Sequence, residues 1–276
     1  MIEELALLGI DGVGKSTIAA SLMAKLRAEG KAVAVTSWSS ASRNQPSEFE
    51  RRCLSDVLFA AFRGMYAGAQ TTDGPARAHF PQTAQEFLES DTTRDLFLDL
   101  DLIENETWGL LSGAFAEITG NFMFRHLDVI PRIKGGALVI QETFGYKHLV
   151  KDLYLAKTLA QRNGDTGFVP IIERLEELGE SIFASILAPQ IGFLIDGDPV
   201  PAIERRFAQS GRAGWTENMQ LSCDCSRESF LQMQQYTRDK FQNYAKRYNW
   251  PVITIDDKGK EKNVNRALEI IMDALG

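Results

Sequence analysis

The chain is poor in cysteine, in histidine and in positive charge, and it has no long apolar run. Three cysteines among 276 residues are too few, and odd in number, for a disulfide framework. Cys223 and Cys225 stand one residue apart with no second Cys or His pair close by, and Cys53 is far away in sequence, so no zinc site is spelled out. His79, His126 and His148 fall in no ligand spacing and take no role. Lysine and arginine number 30 against 37 aspartates and glutamates, for a net charge of −7. That balance excludes the broad basic face a polymeric nucleic acid would need, though not one local cationic pocket for a small anion. Apolar stretches such as residues 137–140 are far too short to enter a membrane. Met1-Ile2-Glu3-Glu4 is acidic where a signal peptide would be basic. The expectation is a cytoplasmic protein with reduced thiols and no membrane partner.

What is present is ordinary in bulk and informative in order. The hydrophobic share is 44% and the charged share 24%, values of a packed domain rather than of a disordered or low-complexity chain. Short apolar runs at residues 5–10, 32–36, 137–141, 191–195 and 252–255 read as buried parallel strands. Helical periodicity separates them, over residues 16–28, 48–66, 104–130, 146–160, 169–187, 199–208, 227–248 and 262–275. Alternation of this kind predicts an α/β domain, a sheet with helices on both faces. No repeat or linker divides it, so residues 1–276 read as one domain. Residues 67–83, with Gly68, Gly74, Pro75 and Pro81, read as a long loop. A helical insertion over roughly 67–107 stays unplaced; its Asp99, Asp101, Glu104 and Glu106 read as a solvated face.

Gly9-Ile10-Asp11-Gly12-Val13-Gly14-Lys15-Ser16 carries the chemistry. It follows the first strand, opens the first helix and matches G-x-x-x-x-G-K-[ST], the P-loop pattern. Glycines let backbone curl around phosphate oxygens. Amides of Gly12, Val13, Gly14, Lys15, Ser16 and Thr17 would lie at the positive end of the helix dipole. Lys15 is expected to reach the β- and γ-phosphates of ATP, and the Ser16 hydroxyl to bind Mg²⁺. For the acid that phosphoryl transfer requires, two strands end in carboxylates, Glu142 and Asp196, and ligands in such sheets sit beyond the strands' carboxyl ends. Either could serve the metal; Glu142 could instead orient or deprotonate an acceptor hydroxyl. Asp11 is expected to contact substrate, Trp38 to stack on an aromatic acceptor, and Arg43 to lie near it. Arg205, Arg206 and Arg212 flank a polar stretch, roughly residues 205–225, that reads as a lid able to close over phosphates.

The form Gly9-x-Asp11-Gly12-x-Gly14-Lys15-Ser16-Thr17, the segment Ile195-Asp196-Gly197-Asp198-Pro199 with Glu204-Arg205-Arg206, and the closing order of helix, VITID at residues 252–256, and helix resemble the thymidylate kinase family of P-loop nucleoside and nucleotide kinases. The resemblance implies a three-layer fold with five parallel strands in the order 2-3-1-4-5, an ATP·Mg²⁺ donor, a nucleotide or nucleoside-like acceptor, and a homodimer. It places Arg205 on the lid or adenine side. Val13 stands where one branch of the family carries a catalytic arginine, which leaves Arg206 or Arg212 to serve. Gln141-Glu142 stands where the family has Asp-Arg, and Ser37-Trp38-Ser39-Ser40 where it has Arg-Glu-Pro. Both phosphate-gripping arginines are thus replaced, so a nucleoside or another small hydroxyl acceptor competes with a monophosphate. A nucleotide-binding switch with little transfer is the non-enzyme alternative.

Overall fold

Residues 4–8 are apolar apart from the first, and in the fold Leu5, Ala6, Leu7 and Leu8 are fully buried. They form β1 (Glu4–Leu8), the middle of a five-stranded, all-parallel sheet. The computed structural model describes residues 2–89, 102–210, 227–257 and 259–276, without the side chains of Arg206, Gln209 and Ser210. On one side β1 pairs with β6 (Leu138–Gln141), which pairs with β2 (Val33–Thr36). On the other it pairs with β7 (Ile191–Gly197), which pairs with β8 (Val252–Ile255). The order is therefore β2-β6-β1-β7-β8 and departs from 2-3-1-4-5 in the chain's own numbering. The reason is an unforeseen second sheet, whose three short strands fall between β2 and β6. Covering each of β1's leucines contributes about 1.5–3 kcal/mol, so this strand is where the fold is anchored.

The second sheet occupies the segment expected to be a loop. It consists of β3 (Gln70–Thr71), β4 (Gly74–Pro75) and β5 (Leu102–Glu104), all antiparallel. Because Glu104 pairs with Gln70, the helix expected from residue 104 begins only at Thr107. Asn105 fills the gap: its side-chain amide donates to the Met65 carbonyl at 3.1 Å and its Oδ1 accepts from the Glu106 amide at 2.8 Å.

The α-helices among the described residues are α1 (Lys15–Ala28), α2 (Trp38–Asn44), α3 (Glu48–Tyr66), α4 (Ala84–Glu89), α5 (Thr107–Phe124), α6 (Ile130–Lys134), α7 (Tyr146–Asn163), α8 (Val169–Ser185), α9 (Pro199–Ser210), α10 (Arg227–Arg247) and α11 (Lys260–Leu275). Between α5 and α6 a π-turn spans Arg125–Val129. Pro131 offers no N–H to the preceding turn and crowds its carbonyl, and the wider turn absorbs both defects. Helix α2 is too short for periodicity to reveal; its cap creates it. The Ser37 side chain accepts from the Ser40 amide and the Ser40 hydroxyl accepts from the Ser37 amide, a reciprocal capping box. Among the described residues no helix is long and apolar enough to cross a membrane.

Candidate functional site: the loop after β1 and the lysines around it

Beyond Leu8 the chain must turn sharply between β7 and α9, and two glycines make the passage possible. A Cβ on Gly9 would lie 2.4 Å from the Ile195 carbonyl oxygen. Gly12 has φ +77°, and a Cβ there would lie 2.9 Å from the Ala202 carbonyl oxygen, so both position and backbone call for glycine. Gly14 caps α1, and its carbonyl accepts the first helical bond, from Ile18 at 3.0 Å. Lys15, the first residue of α1, folds back into the loop. Its Nζ donates to the carbonyls of Gly9 at 2.9 Å and Ile10 at 2.7 Å. Burial of the ammonium, and then the charge of Lys147, hold its pKa well below the ordinary lysine value.

This loop floors a cavity of about 590 Å³, within the usual range for small-molecule sites. Residues 11–18 form one wall. Thr143, Lys147 and Arg205 form another, and Ile255, Asp256, Asp257, Gly259, Lys260, Asn263 and Val264 close the far side. Arg205 is fastened to the floor, its Nε donating to the Gly12 carbonyl at 3.0 Å. The far side is cross-linked at Asp256: Asn263 donates to the Asp256 carbonyl at 2.7 Å and accepts from its amide at 3.2 Å, and Arg266 pairs with the Asp256 carboxylate at 2.9 Å.

Asp11 is the hub of the site's charges. Lys147 bonds its Oδ1, and Lys151 reaches its Oδ2 at 3.1 Å. Gln234 accepts from the Asp11 amide at 3.0 Å and donates to Oδ2 at 3.3 Å. Burial alone would raise the Asp11 pKa; the ammonium groups of Lys147, Lys151 and Lys15 overcome it and hold the carboxyl well below its usual range. Behind Lys151, Asp152 is buried with one carboxylate oxygen lacking any hydrogen bond. Burial pushes its pKa up to about 7 against the pull of Lys151. Glu117, raised by burial and then by the Asp152 charge, takes an N–H from Asn121 at 3.4 Å.

The structure separates the residues expected to act. Gly12, Val13, Gly14, Lys15, Ser16, Thr17, Asp11 and Arg205 all meet at the cavity. Glu142 follows β6 with its amide bonded to the Thr36 carbonyl at 3.1 Å; it is half-buried, its charge acts on Lys15, and the next residue, Thr143, lines the cavity. Three of the expected residues are held by the protein itself. Asp196 lies inside β7, opposite Thr254, rather than at a free strand end. Arg238 clamps both its oxygens at 2.7 and 2.9 Å and Gln242 donates a further bond at 3.1 Å, so three of its roughly four acceptor sites are taken by the protein. Trp38 is buried in a second core with Leu54, Phe124 and Val129. Its indole N–H donates to the Leu54 carbonyl at 3.2 Å and its ring lies where a Cβ on Gly120 would stand, leaving no face for an acceptor. Arg43 is tied to Ser39 at 3.1 Å and to the Leu88 carbonyl at 3.4 Å, away from the cavity walls. The Arg206 side chain, Arg212 and most of the expected lid at 205–225, like Asp99, Asp101, Cys223 and Cys225, lie outside the described residues.

Lys147, Lys151, Gln234 and Arg238 went unnoticed in the sequence. The signal for the lysines was available: Lys147 and Lys151 stand four apart, on one face of a helix that starts just past the third strand of the large sheet. The chain matches no protein-family model and no curated protein.

Proposed function

We propose that the protein is an ATP·Mg²⁺-dependent phosphotransferase of the thymidylate kinase-like type, moving the γ-phosphoryl group to a nucleoside monophosphate or nucleoside-like acceptor. One observation carries this reading: a glycine-built loop of the P-loop pattern, wrapped about its own lysine, leaves the central strand of a parallel sheet and opens into a cavity of nucleotide size. In the transfer, the acceptor oxygen forms the new P–O bond, the bond from the γ-phosphorus to its bridging oxygen breaks and ADP leaves; where the acceptor is a hydroxyl, its O–H bond breaks and the proton passes to Glu142 or to solvent.

Lys15 supplies positive charge where the phosphates rest on the loop, and Arg205 does so from the Gly12 side. The Ser16 side chain is exposed at the cavity and fits a magnesium ligand; the ion would neutralise phosphate charge. Glu142, without the side-chain clamp that occupies Asp196, is the carboxylate left for metal or acceptor. Its place after β6, where the resembling family has arginine, favours an acceptor whose hydroxyl it orients. Arg206 and Arg212 are proposed as the lid cations.

The test is ADP release measured with ATP, Mg²⁺ and a panel of nucleosides, nucleoside monophosphates and other small alcohols. Acceptor-dependent release with a nucleoside or its monophosphate supports the reading. Release only with an unrelated alcohol moves the activity to a different small-molecule kinase. Tight ATP binding with no release under any acceptor makes the protein a nucleotide-binding switch.

A further inference from the structure

We propose that Lys147 is a second phosphate-binding lysine of the loop cavity and that Asp11 is the counter-ion a polyphosphate displaces from it. The inference rests on the nucleotide-binding reading above and adds a residue outside the loop to it. Three ammonium groups, those of Lys15, Lys147 and Lys151, converge here, each less than a tenth exposed. Among the described residues Asp11 is the one carboxylate bonded to any of them, through Lys147 and Lys151; Lys15 is held by two backbone carbonyls. Buried cations in excess of the carboxylates bonded to them are costly, and an entering anion relieves that cost. A nucleoside triphosphate with one Mg²⁺ still carries net negative charge and suits two lysines better than one.

Geometry assigns the second place to Lys147 rather than Lys151. Lys147 lines the cavity together with residues 12–17; Lys151, one turn further along α7, does not. Lys151 and Gln234 both remain on Asp11 when Lys147 turns to a phosphate. The carboxylate thus keeps the Lys151 cation and one hydrogen bond from Gln234, whose Oε1 still holds the Asp11 amide, so the exchange strands no charge. Asp11 thereby competes with a polyphosphate for Lys147, and the two partners of this ion pair should have opposite effects on anion binding.

The test is calorimetric titration with inorganic tripolyphosphate at constant ionic strength, on the whole chain, with thermal unfolding run on each variant. Lys147→Met should weaken binding roughly tenfold or more, the loss of one close charged contact. Lys147→Arg should restore most of it. Asp11→Asn should tighten binding several-fold, because the competing carboxylate is gone. An ion pair that only braces the fold predicts the opposite for Asp11→Asn, unchanged or weaker binding, and that result overturns the proposal even where Lys147→Met fails to fold. Wild-type affinity in Lys147→Met, with binding lost in Lys15→Met, overturns the role of Lys147 and leaves the loop reading standing. Wild-type affinity in Lys15→Met removes the loop reading itself.

Discussion

Asp152→Asn should make the protein more stable, by an amount that depends on pH. The wild-type carboxyl is buried beside Glu117, and one of its oxygens has no hydrogen bond. Its pKa is pushed up to about 7 in the fold from an ordinary value of 3.8. An acid whose folded pKa is raised binds a proton more tightly in the native state, so its stability contribution is greatest at low pH. That contribution is lost as pH climbs from the unfolded value through the folded one. Fully ionised, Asp152 forfeits about 4 kcal/mol relative to its neutral form. Asparagine is neutral at every pH and close in shape. The difference in unfolding free energy between variant and wild type, from urea titrations, should therefore grow in the variant's favour by about 3 kcal/mol between about pH 5 and pH 8, and flatten above that. A difference that is flat across this window, or that grows in the wild type's favour, would refute the charge-burial argument. Asp11 opposes this trend in the wild type: its depressed pKa gives stability that is lost as pH falls through the folded value. Taking the difference between the two proteins removes the Asp11 contribution, while Glu117, raised in part by the Asp152 charge, contributes to the same window.

Arg238→Met should cost about 3–5 kcal/mol, because it leaves the Asp196 carboxylate buried without its clamp; Asp196→Asn in the same chain should recover much of the loss, and chemical denaturation of the two variants checks both. Gly120→Ala should cost roughly 1–3 kcal/mol, since a Cβ there would stand 2.0 Å from the Trp38 ring; the shifted Trp38 should also change the near-ultraviolet circular dichroism, whereas an unaltered melting temperature would mean the ring has room.

The parts of the fold that were legible in the sequence are those with a strong local period. Residues 5–8 are an unbroken apolar run because both faces of β1 are covered, and α8 and α11 present clean apolar stripes. The parts that were not legible depend on partners distant in sequence. Nothing local in Gln70-Thr71 announces a strand; its pairing with residues 102–104 makes it one. Helix α2 comes from one Ser37–Ser40 exchange of hydrogen bonds rather than from any stripe. The pattern of the loop after β1 was readable because its glycines, lysine and serine are contiguous. The ring of charges behind it was not, since Asp11 meets Lys147, Lys151 and Gln234 across more than a hundred residues of chain. Asp196 shows the converse limit: a carboxylate near a strand end looked available until Arg238 and Gln242 arrived from α10 to occupy it.

The most direct test of the central claim is whether ATP·Mg²⁺ binds at the loop through Lys15. Calorimetric titration should show binding of ATP·Mg²⁺ to the wild-type protein and a loss of at least about tenfold in affinity for Lys15→Met, with the variant still folded by circular dichroism. A wild-type protein that binds no nucleoside triphosphate, or a Lys15→Met variant that binds it equally well, would contradict the account.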